Sequence, residues 1–266
     1  MGNAFMVSSY KGGVGKSTVA LGVAAAFTML EKRVLLVDLD TSTRCLDLYM
    51  GCSDSIFYDF TDVLRGAVSL ENAVYANRNE KTGGSRLHLL SAPMNASHEA
   101  VEPEGAFAQL VSDAKKAYDC VIFDCPPGRF ERFAALCPLV DEALVVCAHS
   151  AASVRAAEKT ASELSECGAR EIRMVINCFT PYGIREGSHR GIVDVIEDSH
   201  IALAGIVEYN ATLRVGQERG LTAFDLPIPA IRRQFTDIAR RLDGYEVNLS
   251  SRYSGVKIKK LFFKSN

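Results

Sequence analysis

Short apolar runs recur along the chain, and each is bounded by turn or polar residues. Seven of them have the length of a strand and are rich in Val, Ile and Leu without strict alternation, a pattern typical of parallel strands covered on both faces. They span residues 4–9, 33–40, 87–92, 120–127, 142–150, 172–178 and 201–209. Helix-length segments lie between or after them, at residues 16–30, 104–117, 150–167 and 229–242. This alternation predicts one α/β domain, with a mostly parallel sheet of about seven to eight strands and helices on both faces.

Composition narrows the class of protein without identifying its chemistry. Of 266 residues, 48% are hydrophobic and 23% are charged, and the formal net charge is −2. Because this charge gives no overall attraction to nucleic acid, such binding would need a local patch, and nucleic acid is not an expected partner. The longest nearly apolar run, residues 19–30, is too short to span a bilayer, and the N-terminus has no signal-peptide pattern. We therefore expect a cytoplasmic protein.

The most specific motif is a glycine-rich loop between the first predicted strand and the first predicted helix, SSYKGGVGKST at residues 8–18. Its glycines permit positive φ and a close backbone approach, so that successive N–H groups can point at phosphate oxygens. Lys16 would neutralise the β- and γ-phosphates of a nucleotide, and the Ser17 hydroxyl suits Mg²⁺. The predicted nucleotide-binding residues of the loop are Gly12, Gly13, Val14, Gly15, Lys16, Ser17 and Thr18.

Aspartates follow the apolar part of two predicted strands. Asp38 and Asp40 end the run RVLLVDLD, and Asp124 ends the apolar part of CVIFDCPPG. The carboxyl ends of parallel strands share the edge of the sheet where ligands bind. A nucleotide with Mg²⁺ needs acids at this edge to hold metal-bound waters and to orient the attacking water. We therefore predict that the three aspartates belong to the same site as the loop.

The segment KGGVGKST at residues 11–18 resembles the deviant Walker A loop, K-G-G-x-G-K-[ST], of the ParA/MinD ATPase superfamily. In that superfamily the residue before the first lysine is not fixed as glycine, and here it is Tyr10. Within the superfamily the chain is most similar to the MinD family of septum-site-determining ATPases. The resemblance covers most of residues 3–226. Its clearest segments are residues 38–52, 58–74, 124–128 and 141–159.

The resemblance implies a catalytic set of Lys11, Lys16 and Asp40. Lys11 would be the signature lysine, which reaches across an ATP-bound homodimer to the phosphates of the partner. Lys16 would bind the phosphates of its own subunit, and Asp40 would help to position the hydrolytic water. The expected reaction is the hydrolysis of ATP to ADP and phosphate, slow unless a partner activates it.

The resemblance also implies the metal and base contacts. Ser17 would bind Mg²⁺ directly, whereas Asp38 and Asp124 would act on the metal through water. Asn177, in the segment INC, matches a position that contacts adenine in many relatives. The chain departs from the family at residues 148–150, where AHS replaces the usual N-P-E, and at residues 205–213, which lack a proline common near the base.

The end of the chain differs in character from the rest. Residues 247–266 carry five basic side chains and no acidic one. On a helical wheel Ile258, Leu261 and Phe262 fall on one side, and lysines that include Lys260 cluster on the other. We therefore predict an ATPase domain at residues 1–244 and a basic tail at residues 245–266, which binds an anionic membrane surface as an amphipathic helix. A disordered basic end or a final edge strand is the alternative for the tail.

These features predict a protein that binds the inner face of the cell membrane as an ATP-bound dimer. By resemblance it would place the division septum through a MinC-like inhibitor, with a MinE-like protein as a further expected activator. A flagellar-number regulator or another cargo-positioning relative would use the same machinery. ParA-type chromosome partition, with DNA in place of the membrane, is a further alternative.

Three hypotheses that assign the chain to other functional classes stay open at this point. A tyrosine kinase of the related P-loop group would have a tyrosine-rich C-terminus, and only Tyr245 and Tyr253 lie near the end of this chain. An iron–sulfur reductase would need cysteines at a shared cluster, and Cys125 adjoins the Asp124 segment. The eight cysteines are instead dispersed among apolar runs without a C-x-x-C pair, which favours buried free thiols. A binding module without hydrolysis is disfavoured because the aspartates Asp38, Asp40 and Asp124 are all present.

Overall fold

The computed structural model describes residues 1–77, 86–94, 103–128, 133–185, 187 and 189–249. The strands are β1 (Asn3–Ser8), β2 (Val34–Asp38), β3 (Tyr75–Ala76), β4 (Leu87–Leu90), β5 (Cys120–Asp124), β6 (Glu142–Cys147), β7 (Ile172–Phe179) and β8 (Ala202–Glu208). The helices are α1 (Lys16–Met29), α2 (Leu46–Tyr49), α3 (Phe60–Leu64), α4 (Leu70–Ala73), α5 (Ala106–Ala117), α6 (Ala151–Glu166), α7 (Pro181–Arg185), α8 (Ile192–Ser199), α9 (Ala211–Gln217) and α10 (Pro229–Leu242).

The strands form one sheet in the order β3-β4-β2-β5-β1-β6-β7-β8. All neighbouring strands are parallel except β3, which pairs with β4 in the antiparallel sense. The predicted fold class is confirmed, and each of the seven predicted runs overlaps one parallel strand. The sequence analysis did not predict β3, because two residues are too few to show a strand pattern.

Two apolar cores cover the two faces of the sheet. On one face α1 and α10 pack against the strands, and Phe235 of α10 lies directly against Gly22 of α1. A methyl group at Gly22 would overlap the Phe235 ring, so glycine permits this close helix contact. On the other face α3, α5, α6 and α8 contribute to the core. Helix α1 is buried along nearly its whole length, as its apolar sequence predicts.

The topology gathers the predicted site at one edge of the sheet. Strand β1 lies near the middle of the sheet, between β5 and β6, and the chain crosses from β1 to β2 on the β5 side, whereas β6, β7 and β8 extend the sheet on the other side. The carboxyl ends of these strands diverge at such a point and leave a crevice where ligands bind in open α/β sheets. The glycine-rich loop follows β1 at this point, and α1 begins at Lys16.

The chain after α10 remains attached to the sheet as far as residue 249. The Arg241 guanidinium donates to the Ala204 carbonyl of β8 over 2.9 Å, and to the Val247 and Asn248 carbonyls over 2.9 and 3.2 Å. Leu249 packs against the core on the α5 face. The predicted membrane residues lie outside the described residues: Ile258, Lys260, Leu261 and Phe262. Among the residues described, no helix has the length and apolarity that crossing a bilayer requires.

Candidate nucleotide-binding site

The inner half of the glycine-rich loop, residues 14–18, is held by a buried asparagine. Gly15 has φ +84°, a left-handed conformation that favours glycine. A Cβ atom at this position would overlap the Asn177 amide, and Asn177 Nδ2 donates to the Val14 carbonyl over 2.8 Å. Thr18 adds a second anchor, since its hydroxyl donates to Gln217 Oε1 of α9 over 3.1 Å. The inner half therefore needs glycine at position 15.

The two lysines of the loop have different surroundings. Lys16 is the first residue of α1 and only 7% of its surface is exposed. Lys11 is exposed, together with Gly12 and Gly13, in the outer half of the loop, residues 10–13. Positive charge at the start of α1 adds to the positive end of the helix dipole, which favours a phosphate at the inner half. The exposed Lys11 is accessible from outside its own subunit.

The strand register brings Asp38 and Asp124 together. They are paired residues at the ends of β2 and β5. Asp38 accepts hydrogen bonds from the N–H groups of Asp40 over 2.9 Å and Leu46 over 3.3 Å, so its carboxylate braces the chain that follows β2. Burial, together with the neighbouring Asp124 charge, raises the pKa of Asp38 well above its usual value. Two carboxylates in this position repel each other unless a proton or a cation lies between them.

Asp124 is fully buried, and neither of its carboxylate oxygens has a hydrogen bond of ordinary geometry to another described residue. Burial raises the pKa of Asp124 to about 7, although the Ser17 hydroxyl and the Lys16 ammonium, which lie near it, act in the opposite direction. A buried carboxylate without partners is costly, because the lost hydration is not replaced. The Asp124 carboxylate is therefore an available hydrogen-bond acceptor near the Ser17 hydroxyl.

Asp40 lies at the same edge but is turned toward its own segment. Its carboxylate accepts from the Ser42 N–H over 2.9 Å, from the Thr43 N–H over 3.2 Å and from the Thr43 hydroxyl over 2.6 Å. The side chain is buried, with 6% of the residue exposed. The segment after β2 thus folds around two carboxylates, those of Asp38 and Asp40.

The donor set fits Mg²⁺ bound with a nucleotide. Ser17 and the orphaned Asp124 carboxylate offer hard oxygen atoms, which Mg²⁺ prefers. Over the part of the chain that the structure describes, no three His, Cys, Asp or Glu side chains form a metal-binding cluster. Mg²⁺ does not need such a cluster, because it takes few protein ligands and completes its coordination shell with phosphates and water.

The structure adds residues to the site that the sequence analysis did not assign. The Cys45 thiol lies beside the Ser17 hydroxyl, near the three aspartates, and burial raises its pKa to about 12, so it is a neutral thiol. Gln217 of α9 contacts Thr18, and Thr160 of α6 contacts the backbone at Tyr10. No motif marks Gln217 or Thr160, because each reaches the loop from a helix far away in sequence.

Comparisons with known proteins identify the family of this chain. A family model described as an AAA domain matches residues 3–160, more than half of the chain. The chain is 31% identical over 250 residues to the septum site-determining protein MinD of Bacillus subtilis (strain 168), an alignment that covers 94% of this chain and 92% of that protein. The chain belongs to the MinD family.

Solved structures agree with this assignment. The MinC:MinD cell division protein complex of Aquifex aeolicus superposes with a TM-score of 0.82 at 27% identity, over 93% of this chain and 98% of that chain. MinD of Pyrococcus horikoshii, solved with Mg-ADP, superposes with a TM-score of 0.78 at 22% identity, over 91% and 96% of the two chains, and shows the shared fold. MinD family proteins are ATPases of the P-loop class, and the loop of this chain has that form.

Family membership also decides between the classes that the sequence left open. The matches favour the MinD family over the tyrosine-kinase and iron–sulfur readings. All eight cysteines are free thiols, and five of them are buried. Cys125 is one of the buried five, with 2% of its surface exposed and its position within the apolar core.

Proposed function

We propose that this MinD family protein hydrolyses ATP with Mg²⁺, dimerises in its ATP-bound state, binds the membrane through residues 250–266, and places the division septum by recruiting a MinC-like inhibitor. One observation carries the proposal. A single loop has one buried lysine, Lys16, beside an orphaned carboxylate, Asp124, and one exposed lysine, Lys11. This arrangement supports a site in which Lys16 acts on the nucleotide of its own subunit and Lys11 acts on that of a second subunit.

The inner half of the loop binds the nucleotide of its own subunit. The N–H groups from Gly15 to Thr18 lie at the start of α1, where they are not used by a preceding helical turn. They donate to the phosphates, and Lys16 neutralises the β- and γ-phosphate charge. Asn177 donates one amide hydrogen to the Val14 carbonyl, so its amide oxygen is the acceptor suited to the amino group of adenine.

Ser17, Asp124 and Asp38 would hold the metal, and Mg²⁺ would supply charge neutralisation at the phosphates. Asp40 orients the attacking water. For this role its carboxylate must give up some of its hydrogen bonds to residues 42–43. Lys11 of each subunit stabilises the phosphates of the other, so hydrolysis depends on the dimer.

The tail provides the membrane contact. One short amphipathic segment binds an anionic surface weakly, whereas two segments on one dimer bind together and gain avidity. ATP thereby controls membrane attachment, and hydrolysis releases it. The similar proteins are named as septum site-determining, and one solved relative is a complex with MinC, which favours septum placement and a MinC-like partner over flagellar or chromosome-partition roles.

Sedimentation with anionic liposomes tests the proposal. The full chain is compared with a truncation after Leu249, which keeps the contacts of Arg241 to residues 247–248. We expect the full chain to pellet with ATP and Mg²⁺ but not with ADP, and the truncated chain to stay in solution. Leu261→Glu is a point variant that should match the truncation, because it places a charge on the apolar side.

The controls separate the parts of the proposal. Neutral liposomes should not pellet the protein, since the lysines need anionic lipid. Pelleting that is equal with ATP and ADP would contradict the nucleotide control of attachment. If the protein pellets with neither ATP nor ADP, the membrane role is wrong. Binding of DNA in the presence of ATP would then support the ParA-type alternative.

A further inference from the structure

A buried hydroxyl of α6 forms a hydrogen bond with the backbone of the outer half of the loop. The Tyr10 N–H donates to Thr160 Oγ1 over 2.9 Å. The Thr160 hydroxyl in turn donates to the Ala156 carbonyl, one helical turn earlier in α6, over 2.7 Å. Thr160 is fully buried. Because its one proton is used within the helix, the hydroxyl can only accept from the loop, which fixes the direction of the bond.

The position of Tyr10 is fixed from two further sides. Lys159 Nζ of α6 lies 4.0 Å from the centre of the Tyr10 ring, within the range of a cation–π contact. In the segment after β5, the place where a Cβ atom of Gly128 would stand lies 3.5 Å from the Tyr10 carbonyl. Tyr10 thus lies between α6 and the segment that follows β5.

Beyond Tyr10 the loop has little support of its own. Lys11, Gly12 and Gly13 are exposed, and a Cβ atom at either glycine would meet nothing within 4 Å. The Ser9 hydroxyl lies 3.2 Å from the Lys11 nitrogen. The direction in which Lys11 leaves the fold therefore depends on the residues just before it, and the buried anchor of their backbone on α6 is the Thr160 hydroxyl.

We propose that Thr160 is a positioning residue for Lys11, through which α6 sets the conformation of the outer half of the loop. The role of Lys11 across the dimer rests on the proposed function, whereas the contact does not. Losing the hydroxyl leaves the Tyr10 N–H without its partner and lets the outer half move. Lys11 is then no longer pre-organised for a second subunit, while the inner half, held by Asn177 and Gln217, is unchanged.

The test compares Thr160→Val, Thr160→Ser and a matched control, Thr236→Val. Thr236 of α10 also donates to the carbonyl four residues earlier, Arg232, over 2.9 Å, but it is not in the loop contact. Binding of a fluorescent ATP analogue at low protein concentration reports on the inner half. Sedimentation velocity with ATPγS and Mg²⁺ reports on dimerisation. Cleavage by trypsin after Lys11, identified by mass spectrometry, reports on the outer half in the monomer.

We expect Thr160→Val to weaken dimerisation and to speed cleavage after Lys11, each about fivefold, while affinity for the ATP analogue stays within about twofold. Thr160→Ser should restore both properties, and Thr236→Val should match the wild type. If the valine variant does not fold, as judged by its thermal midpoint, Thr160→Ala serves in its place.

Equal losses of nucleotide affinity and dimerisation, or unchanged cleavage after Lys11, would overturn the proposal. A wild-type chain that does not dimerise with ATPγS would contradict the proposed function instead. In that case the rate of cleavage after Lys11 still decides whether Thr160 positions the loop, because it needs no dimer.

Discussion

The two halves of the phosphate loop differ in how the fold supports them. The inner half has a buried lysine, Lys16, and side-chain anchors from α9 and from the end of β7. The outer half has an exposed lysine, Lys11, and a backbone anchor to α6. A loop that only bound its own nucleotide would need the first arrangement alone. The difference supports the proposed division of two tasks, binding within a subunit by the inner half and contact between subunits by the outer half.

The largest expected effect comes from the two lysines themselves. Lys16→Ala removes the buried ammonium that faces the phosphates, and we expect affinity for ATP to fall at least about 100-fold. Lys11→Ala should leave that affinity within a few-fold but abolish hydrolysis. A fluorescent ATP analogue measures the first property and phosphate release the second. Equal losses of affinity in the two variants would remove the distinction between the halves.

Gly15→Ala should disrupt the inner half. The new methyl group would overlap the Asn177 amide in a left-handed backbone, so we expect the free energy of unfolding to fall by about 2–3 kcal/mol, with loss of nucleotide binding. Gly13→Ala is the matched control in the outer half, with φ +77° but open space around it. It should lose only about 1 kcal/mol, from backbone strain. Urea unfolding measures both.

Asp124 should make the stability of the nucleotide-free protein depend on pH. The folded chain holds the Asp124 proton up to about pH 7, whereas the unfolded chain loses it near pH 4. The stabilising contribution of the protonated form is therefore lost as the pH rises through this window. We expect the free energy of unfolding of the Asp124→Asn variant, relative to that of the wild type, to rise by about 1 kcal/mol for each unit of increasing pH. The difference should become constant above about pH 7.

Urea unfolding in EDTA between about pH 5 and 8 measures this difference. Addition of Mg²⁺ and ATP should reverse the order of the two proteins, because only the aspartate can act on the metal. A pH-independent difference, or a gain from Mg²⁺ and ATP that is equal in both proteins, would contradict the assignment of Asp124 to the metal site.

The smallest expected effect concerns Thr18. Thr18→Val removes the hydroxyl that donates to Gln217, and we expect a loss of about 1 kcal/mol in the free energy of unfolding, measured by urea. Because the buried Gln217 oxygen then lacks this partner, Gln217→Leu in the same chain should recover part of the loss. A loss without recovery would show that Thr18 contributes through packing instead.

Much of this site could be predicted from the sequence, because several of its residues are placed by the fold class or by their local sequence alone. Parallel strands align their carboxyl ends, so a strand-ending aspartate such as Asp38 or Asp124 is placed at the ligand edge by the fold alone. The glycine and lysine positions of the loop are local in sequence and need no tertiary information. The pairing of Asp38 with Asp124, which leaves one carboxylate braced and the other without partners, depends on strand register and appeared only in the structure.

The contacts that distinguish the two halves could not be predicted. Thr160 is 150 residues from Tyr10, and Gln217 is 199 residues from Thr18, so each contact depends on how a distant helix is rotated about its axis. A threonine inside an amphipathic helix and a glutamine near a helix end are ordinary in sequence. The role of residues 250–266, which lie outside the described residues, stays a prediction from their pattern.

Mixing two inactive variants tests the central claim, that Lys11 acts across the dimer while Lys16 acts within the subunit. Phosphate release is measured for a mixture of the Lys11→Ala and Asp40→Ala variants. As controls, each of these two variants is measured alone and in a mixture with the Lys16→Ala variant. In a mixed dimer the Lys11→Ala subunit keeps Asp40 and receives Lys11 from its partner. The account predicts that Lys11→Ala with Asp40→Ala recovers about a quarter of the wild-type rate, as expected when half of the dimers are mixed and each has one working site. Activity no greater than that of the separate variants would contradict it.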